Sequence, residues 1–321
     1  MQSYLKTRPL VSQTFIFISL VAAALLIFVA MLGTWIATKM TGLSVFEISD
    51  VSKWNATDPR YGAFLRLMLT VQFVGLFVVP VLVFAYLSDP RPARYLGLRK
   101  TTPLFFGLGI LAMVAAIPLV EYLGFLNQKI AFPSGIEGWM KRTEQEAQQQ
   151  IGLLLKGRSV SQLLLNIFMI AGFAGIGEEL FFRGVLQRLA IWAFKNVWIG
   201  IIVTAFLFSA LHLQFYGFFP RFLLGILLGA IYWYSGSLWP AMLAHFFYDA
   251  LLITLAYFNP SMIAEQQTSI IPTSSMAVLA IVSLAATTGL VLFMRKLSTS
   301  SEAGFQQERS LDAPQSFTFD Q

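Results

Sequence analysis

The chain has 321 residues, 57% of them hydrophobic and only 12% charged, against the roughly 45–50% apolar and 25% charged of a soluble domain. A net charge of +6 spread over short segments suits juxtamembrane loops and excludes the basic face that grips nucleic acid. Cysteine is absent, which excludes thiol nucleophiles, disulfides and cysteine-ligated metals.

Eight stretches reach or approach the ~20 apolar residues needed to cross a bilayer: 14–37, 64–87, 103–124, 160–182, 197–214, 217–235, 238–258 and 276–294. The expected fold is all-α, a polytopic transmembrane bundle of about eight spans, because lipid offers no partners to open backbone. Span one follows Lys6 and Arg8 and is too long for the core of a signal peptide, so it reads as a retained anchor. Further basic clusters fall at Arg91, Arg94, Arg99 and Lys100, at Arg188 and Lys195, and at Arg295 and Lys296. An even number of spans puts all of them on one side, the cytoplasm by the positive-inside rule. The chain is thus expected in the plasma (bacterial inner) membrane with both termini cytoplasmic.

Four regions are expected. Residues 1–159 hold spans one to three and, in "EGWMKRTEQEAQQQIGLLLKG", either a helix of the kind that lies in the membrane interface or a solvated loop helix. Residues 160–258 form a core, 259–297 the last span, and 298–321 a polar, disordered tail. No repeat or globular domain outside the membrane is visible.

The ionisable residues are concentrated. Between Glu146 and Glu265 the acids are Glu178, Glu179 and Asp249, and the two histidines of the chain, His212 and His245, lie in the same interval. Intramembrane ionisable groups are functional candidates by default. On a helix over 160–194, Glu179 and Arg183 are four apart and form a same-face ion pair. Glu178 points about 100° away, without a partner. Folding back at Lys195 and Asn196 brings Glu178 and His212 to the same depth. His245 and Asp249 share one face of span seven, with His245 about 10 Å shallower unless tilt or an inward dip at "SGSLWP" absorbs the difference. Asn166 reads as a helix-packing hydrogen bond, Glu121 as an outer-end residue, and "AGFAGIG" as a close-approach surface. Phe181, Phe182, Phe208 and Phe246 read as lipid-facing or core residues.

These residues resemble the CPBP family of CAAX prenyl proteases (type II), bacteriocin-processing and Abi proteins. "EELFFR" fits its EExxxR motif, "FSALH" its FxxxH motif and "HFFYD" its HxxxN/D motif, and "GSLWPAMLAH" leads into the third. EExxxR alone would occur by chance in roughly 7% of chains this long; three motifs in order that consume both histidines are far more specific. The resemblance covers about 175–255 and implies an intramembrane endopeptidase in an eight-span bundle. It implies that Glu178 with His212 activates a water and that His245 and the residue at 249 stabilise the oxyanion, with Glu179, Arg183 and Phe208 in support. Asp249 stands where prenyl-processing members have Asn, and an ionised aspartate cannot donate to an oxyanion.

No cofactor is favoured. A Zn²⁺ held by Glu178, His212 and His245 is the alternative, making a metalloendopeptidase. The expected partners are a membrane-bound protein or peptide substrate, cut near the cytoplasmic leaflet, and the lipid bilayer, with no nucleic acid. A cation- or proton-coupled transporter and a non-catalytic scaffold are the rival readings; the absence of inverted repeats weighs against transport.

Overall fold

The computed structural model describes residues 4–5, 8–259 and 273–298; the tail beyond Ser298 and Lys6 of the first basic cluster lie outside the described residues. These residues build a helical bundle without strands. Seven helices are long and apolar enough to cross a membrane, and the protein is an integral membrane protein. They are α1 (Leu10–Thr41), α2 (Pro59–Ser88), α3 (Leu104–Gln128), α5 (Val160–Phe194), α7 (Phe215–Ser235), α8 (Leu238–Phe258) and α9 (Ser274–Leu297). Two further helices are α4 (Ser134–Leu155) and α6 (Val197–Ala210).

The predicted fifth span is the one that differs. The apolar run over 197–214 ends as a helix at Ala210, so α6 has 14 residues and reaches only about 21 Å of a hydrocarbon core about 30 Å thick. The chain turns at Leu211–Gln214, with Leu213 in the left-handed region at φ 56°, and returns as α7. Residues 211–217 therefore form an irregular turn between α6 and α7 that closes with a short 3₁₀ segment at Phe215–Gly217. Hydropathy cannot register this, because Leu211, Leu213 and Phe215 continue the apolar run across the turn.

Polar caps fix the helix ends around the site. Asp58 accepts from the Arg60 N–H at 2.9 Å ahead of Pro59 at the start of α2. The Asn196 side chain accepts from Ile199 at 3.0 Å to start α6, directly after Lys195 closes α5 with φ 51°. Such side-chain caps satisfy amide groups that have no partner within the helix.

The basic clusters gather at one end of the bundle. Leu5 donates its N–H to the Leu87 carbonyl at 2.9 Å, and the Arg188 guanidinium lies 4.6 Å over the Tyr95 ring. At the same end the α7–α8 turn sinks beneath the loop after α2. Leu238 N–H donates to Gly97 O at 2.9 Å, Ser237 Oγ to Arg99 O at 2.6 Å, and Thr101 Oγ1 to Ser235 O at 2.6 Å. Ser235, Ser237, Leu238 and Pro240 are all buried. The turn at "SGSLWP" is thus covered by the loop after α2.

At the opposite end α4 forms as a helix and is fastened rather than free. Gln149 donates to Trp54 O at 3.1 Å, Lys156 to Ala56 O at 2.8 Å and Asn166 of α5 to Leu154 O at 3.0 Å. Trp54, Tyr61, Phe64, Leu65, Leu153 and Leu154 make a small apolar core there, with the Trp54 and Tyr61 rings stacked 5.0 Å apart. The main core lies at the basic end and around the middle of α5, where Phe17, Phe84, Phe181 and Phe182 are buried.

Candidate functional site

Helix α5 carries three widened π-type turns, at Ile167–Gly172, Ala174–Glu178 and Phe182–Leu186, a deviation found often at functional sites. Between the last two stand Glu179 and its neighbours. Gly175 lets α8 approach. A Cβ there would stand 3.0 Å from Phe246 N and 3.1 Å from Met242 O, so a larger residue would have to push the α8 backbone away by a few tenths of an ångström, a close approach as expected of the small-residue stretch. The contact brings Glu179 of α5 against His245 of α8.

Glu179 is fully buried and makes two bonds through one oxygen. Its Oε1 accepts from Arg183 Nη1 at 2.6 Å and from His245 Nδ1 at 2.9 Å. Arg183, also fully buried, donates its second terminal nitrogen to Gly225 O of α7 at 3.0 Å and lies 4.8 Å over the Phe208 ring. The ion pair of "EELFFR" therefore ties three helices together. Sequence arithmetic reaches the Glu179–Arg183 half of this network and misses the bond to His245, since the latter depends on the buried α7–α8 turn.

Phe208 is the common platform. Buried in the core, it meets His212, Phe182 and His245 edge-on at centroid distances of 5.0, 5.1 and 6.1 Å. Phe181 and Phe182 are buried as well and Phe246 is half-buried. Of the two readings open for these rings, core packing is the one observed.

His212 sits in the turn after α6, half-buried, with Nδ1 2.7 Å from the Phe208 carbonyl. A carbonyl only accepts, so Nδ1 carries the proton in that bond, and Nε2 is the acceptor whenever the ring is neutral. His245 has carboxylates beside both nitrogens: Glu179 at Nδ1, and Asp249 Oδ2 at 3.4 Å from Nε2. The latter distance exceeds a normal hydrogen bond, so Nε2 is held loosely. Glu178 is half-buried and makes no hydrogen bond among the described residues. His212, His245 and Asp249 all lie within Coulombic range of it. Among the described residues no group of three or more His, Asp and Glu side chains is arranged to hold a metal ion.

His212 and Asp249 face a cavity of about 1440 Å³ between α2, α3, α4 and α8, walled by Phe64, Met68, Ile170 and Ile253 and by Glu121 and Arg221. It occupies the half of the bundle away from the basic clusters. At the cavity edge Glu144 of α4 is pushed above the usual carboxylate range by burial, against the lowering effect of Arg221.

What the residues define is a helical membrane protein with a buried Glu–Arg–His network beside an unbonded carboxylate. Residues 160–251 match the family model described as "Type II CAAX prenyl endopeptidase Rce1-like", and the resemblance carried by the three motifs is borne out over that segment. The chain is also 32% identical over 98 residues to the uncharacterized protein YpbD of Bacillus subtilis (strain 168). That match covers 29% of this chain and 45% of YpbD, so the chain spans less than half the length of this curated relative. No solved structure matches the chain.

Proposed function

We propose that the protein is an intramembrane endopeptidase that hydrolyses a peptide bond of a membrane-associated protein or peptide. The single observation that carries this reading is Glu178, a half-buried carboxylate on a membrane-spanning helix without a hydrogen-bond partner among the described residues, within Coulombic range of His212. An ionisable group on a membrane-spanning helix without a partner costs stability and is retained for what it does. In the proposed reaction a water sits between Glu178 and His212 Nε2, which together take its proton as it attacks the scissile carbonyl. The His245 Nε2–H, only loosely turned to Asp249, donates to the developing oxyanion, where a preorganised donor supplies a large share of the rate. Glu179 holds the other side of that ring, and Arg183 holds Glu179.

This mechanism runs without a metal. The alternative ligands of a Zn²⁺, Glu178, His212 and His245, are not arranged as a metal-holding group among the described residues. Asp249 serves His245 rather than the oxyanion, which accommodates an aspartate where prenyl-processing members have asparagine. The mostly apolar cavity walls suit an extended segment of a membrane-embedded polypeptide. With the basic end cytoplasmic, such a segment reaches the site from the opposite side of the membrane.

The test is a peptide library incubated with the purified, lipid-reconstituted protein, its Glu178→Gln and its His212→Ala variants, with products read by mass spectrometry. Cleavage by wild type alone is expected. Equal product from all three would refute the reading, and proton- or cation-dependent flux in the same vesicles without cleavage would favour transport.

A further inference from the structure

His212 is carried by a turn with little regular structure, yet its ring must be fixed for it to share a water with Glu178. The turn is braced from two sides. From α3, the buried Asn127 donates to Phe215 O at 2.8 Å and accepts from Phe219 N–H at 3.0 Å. From α7, Arg221 donates Nη1 to Gln214 Oε1 at 3.1 Å and Nη2 to the Gln214 backbone carbonyl. Gln214 is two residues from His212, and between them stands Leu213 at φ 56°, a left-handed conformation that a leucine adopts only when its surroundings impose it. Ser209 closes the base of the turn by donating to Phe218 O at 2.6 Å.

We propose that Arg221 is a positioning residue for His212: its fork on Gln214 holds Leu213 in the left-handed region and thereby aims the imidazole. The planar guanidinium suits this task, since it donates two parallel bonds from one rigid group. Asn127 fixes the far side of the same turn, so the two residues leave His212 little freedom except rotation about its own side chain. The Nδ1 bond to Phe208 O removes that rotation.

The catalytic side of the proposal rests on the endopeptidase reading; the placement of His212 does not. The chain has two histidines, so histidine-labelled protein in micelles gives two imidazole signals, assigned with His212→Ala. Arg221→Gln should move the His212 signal and leave that of His245 in place, and Arg221→Lys, which can reach one oxygen of Gln214, should move it less. In cleavage, Arg221→Gln should lower kcat about 10- to 100-fold, the scale of a misplaced group, with KM within about twofold, and Arg221→Lys should recover part of the loss. An unmoved His212 signal overturns the proposal whatever the activity. A raised KM with unchanged kcat also overturns it, because Arg221 would then touch substrate. If wild type cleaves no peptide, the endopeptidase reading fails alone and the imidazole signals still decide the placement. Should Arg221→Gln not fold, Arg221→Lys carries the comparison.

Discussion

Replacing Arg183 by methionine isolates the buried network on which the site rests. Arg183 and Glu179 are both 0% exposed, so the variant leaves a carboxylate in the core facing only His245. Breaking a buried pair by removing one partner costs about 3–5 kcal/mol. The Gly225 carbonyl also loses its donor, which costs about 1–3 kcal/mol where water cannot replace it, though the α7 backbone can relax to recover part. A loss of about 4 kcal/mol is the expected result, close to a thousandfold in the folding equilibrium at 1.4 kcal/mol per tenfold. The companion Glu179→Gln strands Arg183 in the same way, whereas the double variant strands neither charge, and its glutamine oxygen still accepts from His245. Unfolding in mixed micelles, followed by tryptophan fluorescence, should therefore give a double variant less damaged than the sum of the singles, with a coupling of at least about 2 kcal/mol. Additive losses, or a loss below about 1 kcal/mol for Arg183→Met alone, would refute the idea that this pair is a desolvated tie between three helices.

Further predictions concern the helix contact, pH, the membrane orientation and metal. Gly175→Ala presses a methyl group on the α8 backbone, which cannot yield as a side chain would; an overpacking cost of about 1–3 kcal/mol and reduced cleavage are expected, and unchanged stability would deny the close approach. Glu144 has a folded-state value above its unfolded one, so its contribution is full below the unfolded value, about 4.3, and is lost as pH rises through the folded one. Glu144→Gln should accordingly be more stable than wild type at pH 8, with the gap closing toward pH 4; a gap independent of pH would contradict this. Because the chain has no cysteine, Lys53→Cys and Lys195→Cys are clean labelling sites in intact cells: an impermeant maleimide should modify the first and spare the second, and the reverse pattern would invert the orientation. Prolonged chelation should leave cleavage unchanged, while loss restored by Zn²⁺ would revive the metal mechanism.

Much of the bundle was legible because hydropathy reports on lipid, and lipid decides where most of these helices run. The i, i+4 relation of Glu179 and Arg183 was legible for a similar reason, since one helix fixes both ends. What the sequence hid depends on contacts far apart in the chain. Glu179 meets His245 because Ser237 and Leu238 are held by Arg99 and Gly97, well over a hundred residues earlier, and no local pattern encodes that hold. The turn after α6 was hidden too, because Leu211, Leu213 and Phe215 continue the apolar run, and the Arg221 fork on Gln214 comes from a different helix. The cavity came from α4, whose charged and apolar residues predict a helix but not the hydrogen bonds that fasten its end to Trp54 and Ala56.

The central claim is that Glu178 and His212 act on one water, and single-turnover cleavage of a library-selected peptide tests it most directly. Two groups serving one step are not additive, so Glu178→Gln, His212→Ala and the double variant should all fall to a similar residual rate, the double no slower than the slower single. Rates that multiply down in the double variant, or a single variant that keeps wild-type turnover, would contradict the account.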